Sequence, residues 1–156
     1  MTLKIGTLNV NGIKSTAKQN ELWRFIRENE IDVLGVQEFN TRHLEVPVPD
    51  YKIKIGYNGS ELGSVVIYNT QLDLKDTETS SSGRTIKMSF KNFTLINVYG
   101  YQPGLGTEKR NRFFQRELPH YIPVNNQPVI LLGDFNASLC STDKKRAQSY
   151  IKLLKN

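Results

Sequence analysis

The apolar run Val129-Ile130-Leu131-Leu132 breaks directly into Gly133-Asp134-Phe135-Asn136-Ala137, and no other junction restricts the fold of this chain as much. Consecutive β-branched and leucine side chains suit a strand buried on both faces, which means a sheet held between other layers. Gly133 lets the backbone turn, and an acid and an amide follow at once. In an α/β protein the crevice lies just beyond the carboxyl ends of such strands, so a carboxylate there is placed for chemistry. Taken alone, Gly-Asp-Phe-Asn also describes an Asx turn, in which Asp134 or Asn136 bonds its own loop. The other strand ends decide between the two.

Leu3–Val10 reads as a first strand ending in Asn9-Val10-Asn11-Gly12. Lys18–Asn29 is an amphipathic helix with Leu22, Phe25 and Ile26 on one face and Trp23 beside it, resting on the sheet. Ile31–Val36 is a second buried strand, with Gln37-Glu38 at its end. Strand, helix and strand make a crossover unit, whose right-handedness brings the two polar ends together. Tyr51–Ile55, Ser64–Tyr68, Arg84–Phe90 and Phe93–Val98 are short strands, the last two joined by a two-residue turn at Lys91-Asn92. Asp76–Gly83 reads as an exposed connection and Tyr99–Thr107 as a Gly-rich loop. A helix follows from Glu108 to Leu118, stopped by Pro119.

At 156 residues and 38% hydrophobic content, the chain is one domain spanning residues 1–156, with a core of its own. It has no run of 18 apolar residues, so no membrane span is expected, and its first residues carry no signal-peptide pattern. One cysteine, Cys140, excludes an internal disulfide or a cysteine-cluster metal site, and two histidines without suitable spacing argue against zinc. Lys and Arg outnumber Asp and Glu by 21 to 15, a net charge of +6 that suits a polyanionic partner such as nucleic acid.

Polar residues therefore cap four strand ends: Asn9 with Asn11, Gln37 with Glu38, Tyr99, and Asp134 with Asn136. That set suits metal-assisted phosphodiester hydrolysis. Mg²⁺ takes hard oxygen ligands, typically one or two carboxylates plus waters and phosphate oxygens. Glu38 supplies a carboxylate, the amides and the phenol hold phosphate oxygens without repelling them, and a second carboxylate orients water.

Leu8-Asn9-Val10-Asn11-Gly12-Ile13, Val36-Gln37-Glu38, Ile96-Asn97-Val98-Tyr99 and Leu132-Gly133-Asp134-Phe135-Asn136 together resemble the endonuclease/exonuclease/phosphatase superfamily. Their order and spacing are most similar to the apurinic-type endonuclease domain of non-LTR (LINE-type) retrotransposons. The resemblance implies a DNase I-like four-layer α/β sandwich, two mixed sheets face to face with helices outside. It implies catalytic roles for Asn9, Glu38, Tyr99, Asp134 and Asn136, with Glu38 as the Mg²⁺ ligand and Asn11 supporting the site. Double-stranded DNA would be the substrate, nicked to leave a 3′-hydroxyl that primes reverse transcription. Such nicking requires nuclear access, and the parent chain would continue into a reverse transcriptase.

Two departures from the family pattern add expectations. Repair enzymes of the superfamily usually follow the tyrosine with a small or aliphatic residue, Pro and Asn, whereas this chain has Tyr99-Gly100-Tyr101-Gln102-Pro103-Gly104. Tyr101 is then either a packed loop aromatic or a stacking surface for substrate. The family's closing Ser-Asp-His does not occur in these residues, which implies a domain without its C-terminal portion and last strands, crippled or inactive as this exact chain unless something else completes it. Lys14, Lys18, Arg42 and Arg84 are candidates for a phosphate track, while Lys109, Arg110, Arg112 and Arg116 read mainly as a solvated helix face. The alternatives are an apurinic-site repair nuclease or phosphoesterase of the same fold, and a catalytically dead nucleic-acid-binding module.

Overall fold

A computed structural model describes residues 2–41, 43–56, 63–104 and 106–137. Arg42, Cys140, Asp143 and the basic stretch Lys144–Arg146 lie outside the described residues.

Strand β1 (Ile5–Asn9) leads into helix α1 (Thr16–Glu28), and β2 (Val33–Gln37) returns parallel to β1, with Asn9 paired to Gln37. Two antiparallel strands, β3 (Tyr51–Ile55) and β4 (Val65–Asn69), complete a sheet in the order β1-β2-β4-β3. The second sheet runs β5 (Leu74–Thr79), β6 (Thr85–Phe90), β7 (Thr94–Tyr99), β8 (Val129–Asp134). Its first three strands are antiparallel, and β8 lies parallel to β7 with Tyr99 paired to Asp134. Between β7 and β8 the chain coils through α2 (Thr107–Arg112), a π-helical segment (Phe113–Glu117) and α3 (Leu118–Tyr121).

Three apolar clusters mark the joints between four layers. Leu22, Trp23 and Ile26 of α1 pack on Leu34, Val36, Val65 and Ile67 of the first sheet. Val33 and Val66 meet Ile86, Met88 and Leu95 between the sheets. Ile96 and Val98 on the outer face of the second sheet bury Phe113, Phe114 and Leu118. The fold is therefore the expected four-layer sandwich. Because side chains alternate along a strand, Leu34 and Val36 face α1, whereas Val33, Gly35 and Gln37 face the second sheet. The same alternation turns Asn97 and Tyr99 inward from β7, and Leu132 and Asp134 inward from β8. At Gly35 the sheets approach so closely that an added Cβ would lie 2.7 Å from the Asn97 side-chain oxygen.

Several details differ from the sequence reading. Helix α1 starts earlier, where the Ser15 Oγ accepts a bond from the Lys18 amide at 3.3 Å. It buries Trp23 fully while Phe25 stays 41% exposed. Trp23 earns its place by donating to the Glu45 carbonyl at 2.9 Å and meeting Tyr51 edge-on. The stretch read as an exposed connection, Asp76–Gly83, begins as strand β5 instead. Leu74, Thr77 and Thr79 are half-buried among exposed charged residues, as on a polar edge strand, and polarity of that kind hides the strand pattern.

Pro119 does not stop the helical path, which continues to Tyr121. Leu118 bonds back to the Phe113 carbonyl, and this wider π turn makes room for a residue that has no N–H to give. Strand β8 is half-buried rather than enclosed, since among the described residues it lies at the end of its sheet's strand order. Its unbroken apolar run is still explained, because Ile130 and Leu132 face the inter-sheet core while Leu131 faces the π-helical segment.

Candidate active site

The carboxyl ends of the two parallel strand pairs, β1–β2 and β7–β8, open on the same mouth between the sheets. Asn9 reaches across that mouth and donates from Nδ2 to Asp134 Oδ2 at 2.9 Å, joining positions 125 residues apart in sequence. The Asn11 amide donates to the Asn9 Oδ1 at 2.9 Å, and the Asn136 amide donates to the Asp134 Oδ1 at 3.0 Å. Each side chain is thus oriented by its own following turn. The Asx turn is present and serves the cross-sheet contact; the two readings of Gly-Asp-Phe-Asn are not exclusive.

Glu38 stands opposite, at a φ of 52°. Backbone in that region is costly for a side chain other than glycine and persists where surrounding bonds over-determine it. Here they do: Gly12 donates to the Glu38 carbonyl at 2.7 Å, flanked by Val10 to Gln37 and Ile13 to Phe39. The loops after β1 and β2 are laced together by main-chain bonds. The Tyr99 hydroxyl and the Gln102 Nε2 both donate to Glu38 Oε1, each at 3.2 Å. Burial, and after it the Glu38 charge, push the Tyr99 phenol above the ordinary tyrosine value, with the Arg84 cation pulling the other way. The phenol therefore keeps its proton at neutral pH and acts as a donor.

Two glycines bring the ends of β7 and β8 close enough. Gly133, at a φ of 136°, lies where a Cβ would strike the Val98 carbonyl, and Gly100 lies where one would strike the Phe135 carbonyl. Behind the site, Asn97 is fully buried. It donates to the Val36 and Val65 carbonyls at 3.1 and 3.0 Å and accepts from the Gln37 Nε2 at 2.8 Å. Gln37 also donates to the Thr7 Oγ1 at 3.0 Å. This polar network pins one sheet to the other directly beneath Glu38 and Tyr99.

The structure brings Asn9, Asn11, Glu38, Tyr99, Asp134 and Asn136 together. The basic and aromatic candidates stand behind or beside this group. Arg84 is only 7% exposed. Its guanidinium turns inward to main-chain carbonyls and lies over the Tyr101 and Tyr99 rings rather than along an outer phosphate track. Tyr101 is packed, with Arg84 on one face and Phe113 edge-on at 5.8 Å. Lys14 is exposed on the loop after β1, and Lys18 donates to the Asn11 and Gly12 carbonyls. Arg110, read as part of a solvated face, donates to the Asn136 carbonyl at 2.8 Å. Gln102 and Arg110 were missed because their types and spacing carry no signal of their own. Asn97 had one, as a lone amide inside an apolar strand.

Among the described residues no group of three or more His, Cys, Asp or Glu comes together. The donor set at the mouth is the carboxylates of Glu38 and Asp134, with the Tyr99 and Gln102 donors both on Glu38 Oε1, beside neutral amides and a phenol. Such hard, sparsely charged oxygen donors fit Mg²⁺, which keeps several waters and binds through one or two carboxylates.

The sequence model of the Endonuclease/Exonuclease/phosphatase family matches residues 6–154. An exodeoxyribonuclease of Bacillus subtilis is 27% identical over 94% of this chain and 64% of its own length. The transposon TX1 149 kDa protein of Xenopus laevis is 28% identical over 92% of this chain and 12% of its own length. An AP endonuclease structure from Archaeoglobus fulgidus superposes with a TM-score of 0.76 at 21% identity, covering 99% of this chain and 70% of that one. The chain thus spans less than two thirds of the curated relatives named here.

Proposed function

This chain belongs to the endonuclease/exonuclease/phosphatase family, and on that premise we propose that it forms the nicking centre of a LINE-type retrotransposon endonuclease. The observation that carries the reading is the Asn9–Asp134 bond across the mouth, with Glu38 held opposite by Tyr99. Two carboxylates on separate strand pairs, spaced by amides and a protonated phenol, suit in-line hydrolysis of a phosphodiester. Asp134, with each oxygen fixed by one donor, orients the attacking water and takes its proton. The remaining side-chain N–H of Asn9 and of Asn136 binds the non-bridging phosphate oxygens, and the Tyr99 hydroxyl exchanges its bond to Glu38 for one to phosphate. The water oxygen bonds to phosphorus as the bond from phosphorus to O3′ breaks, and O3′ takes a proton from solvent, leaving a 3′-hydroxyl and a 5′-phosphate. Glu38 would hold Mg²⁺, which when bound offsets negative charge gathering on the phosphate and the leaving oxygen.

Double-stranded DNA as substrate is supported by the net charge of +6 and by the likeness to an exodeoxyribonuclease. The retroelement reading is supported by the likeness to the TX1 transposon protein, most of whose length lies outside the match. A parent chain that continues into a reverse transcriptase and acts in the nucleus belongs to the same proposal. A nuclease or phosphoesterase outside any retroelement, such as one acting in repair, is the second reading, favoured by the larger share of the Bacillus exodeoxyribonuclease that this chain covers.

The test is nicking of supercoiled plasmid in Mg²⁺ by this chain and by its Glu38→Gln form, alongside a duplex carrying one abasic site. Nicks extendable by a DNA polymerase, nearly abolished in Glu38→Gln and lost on chelation, are expected. Cleavage that survives chelation would overturn the metal-assisted reading, and cleavage confined to the abasic duplex would select repair.

The tyrosines also make stability depend on pH. Burial raises the phenols of Tyr51, Tyr68, Tyr99 and Tyr121. A folded state with raised phenol pKa values holds its protons longer than the unfolded chain does. Its stability is therefore full below the unfolded value near 10 and falls as pH rises through the folded values. Urea midpoints are expected to be level from neutral pH to about 9 and to decline beyond about 10.

A further inference from the structure

We infer that Arg84 is a positioning residue for the nicking centre, acting from behind the site through the Tyr99–Gly100 main chain and making no contact with DNA. The inference rests on the phosphodiesterase reading for its purpose, but its geometry stands independently. Arg84 is bound to Tyr99 twice. Its carbonyl accepts the Tyr99 amide at 2.8 Å, and its Nη1 donates to the Tyr99 and Gly100 carbonyls at 3.2 and 3.1 Å. Its guanidinium carbon lies 3.8 Å from the Tyr101 ring centroid and 4.6 Å from that of Tyr99.

The Gly100 carbonyl is the hub of this arrangement. It also accepts the Asn136 Nδ2 at 2.9 Å, and the Asn136 amide in turn holds Asp134 Oδ1 at 3.0 Å. One buried cation thus stands behind both halves of the centre. On one side Tyr99 reaches Glu38; on the other, Asn136 reaches Asp134. A planar guanidinium suits this place, because it can lie over aromatic rings while donating in its own plane to adjacent carbonyls. A lysine keeps the charge but has neither the plane nor the fork. The packed Tyr101 ring has the same explanation, since the guanidinium carbon lies over it at 3.8 Å.

Three measurements on wild type, Arg84→Lys and Arg84→Met separate this from the alternatives. The first is amide hydrogen exchange without metal or DNA. Arg84→Met is expected to speed exchange at Gly100 and Asn136 more than in β3 and β4, and Arg84→Lys to restore it poorly. Unchanged protection at those two amides would overturn the inference whatever the protein's activity. The second is Mn²⁺ binding by electron paramagnetic resonance. An outer-shell loss of this kind is expected to weaken it about tenfold, and wild-type affinity in Arg84→Met would reduce Arg84 to packing. The third is the salt dependence of duplex binding between about 50 and 200 mM salt. A positioning residue leaves the slope of log affinity against log salt unchanged. A slope shallower by about 0.9 in Arg84→Met, recovered in Arg84→Lys, would make Arg84 a phosphate contact and overturn the inference. If wild type binds neither Mn²⁺ nor duplex, the nicking-centre reading fails, and the exchange result still decides the role of Arg84.

Discussion

Replacing Glu38 by glutamine is expected to cut Mg²⁺-dependent nicking about 10³-fold, with DNA binding in the absence of metal retained or improved. Glutamine is the informative choice because position 38 has a φ of 52°, where a change of backbone preference would confound the result. The glutamine carbonyl still accepts the Tyr99 hydroxyl and the Gln102 amide, so the mouth keeps its shape. What is lost is one negative charge at the place where a hard cation must be held. Binding of a polyanion should gain from that loss, since the carboxylate repels phosphate when no metal screens it. Nicking of supercoiled plasmid and duplex anisotropy, measured on one preparation, check both parts. A variant that loses nicking and metal-free DNA binding together would mean that Glu38 supports the structure of the mouth rather than the metal.

The residues of that mouth were legible because each follows an apolar run at a strand's carboxyl end, where period-2 alternation and parallel pairing fix direction and level. Asn9 pairs with Gln37 and Tyr99 with Asp134, so the polar ends align without long-range information. The direction of a cation was not legible. Arg84 and Arg110 read from sequence as charges facing solvent or phosphate, yet both point at carbonyls of the site loops. A guanidinium donates equally well to a phosphate and to a peptide oxygen, and only the packing of Tyr99, Tyr101 and Phe113 decides which it meets. Edges were hidden for a related reason. Strand β5 is paired on one side only among the described residues, so its polar side chains carry no burial pattern to read.

The second large effect is expected at Asn97, where leucine of similar size should lower the unfolding free energy by about 3–6 kcal/mol. Asn97 makes three bonds in a fully buried position, two as donor to Val36 and Val65 and one as acceptor from Gln37. Leucine fills the space and satisfies none of them, leaving two carbonyls and an amide to bear desolvation at about 1–3 kcal/mol each. Aspartate would be worse, because a carboxylate cannot donate to the two carbonyls and would be buried with its charge. An exposed pair such as Lys4–Glu30 should by contrast contribute almost nothing when broken. Urea unfolding of Asn97→Leu measures the cost directly. Position gives the substitution a second consequence. Gln37 precedes Glu38 on one sheet, and Asn97 lies two residues before Tyr99 on the other. The Gln37–Asn97 bond therefore sets the spacing across which the Tyr99 hydroxyl meets Glu38, and nicking should fall even at temperatures where the variant stays folded. A variant as stable and as active as wild type would mean that apolar contacts among Val33, Val66, Met88 and Leu95 hold the sheets in register unaided. The alignment of Glu38 with Tyr99 would then belong to the laced loops after β1 and β2.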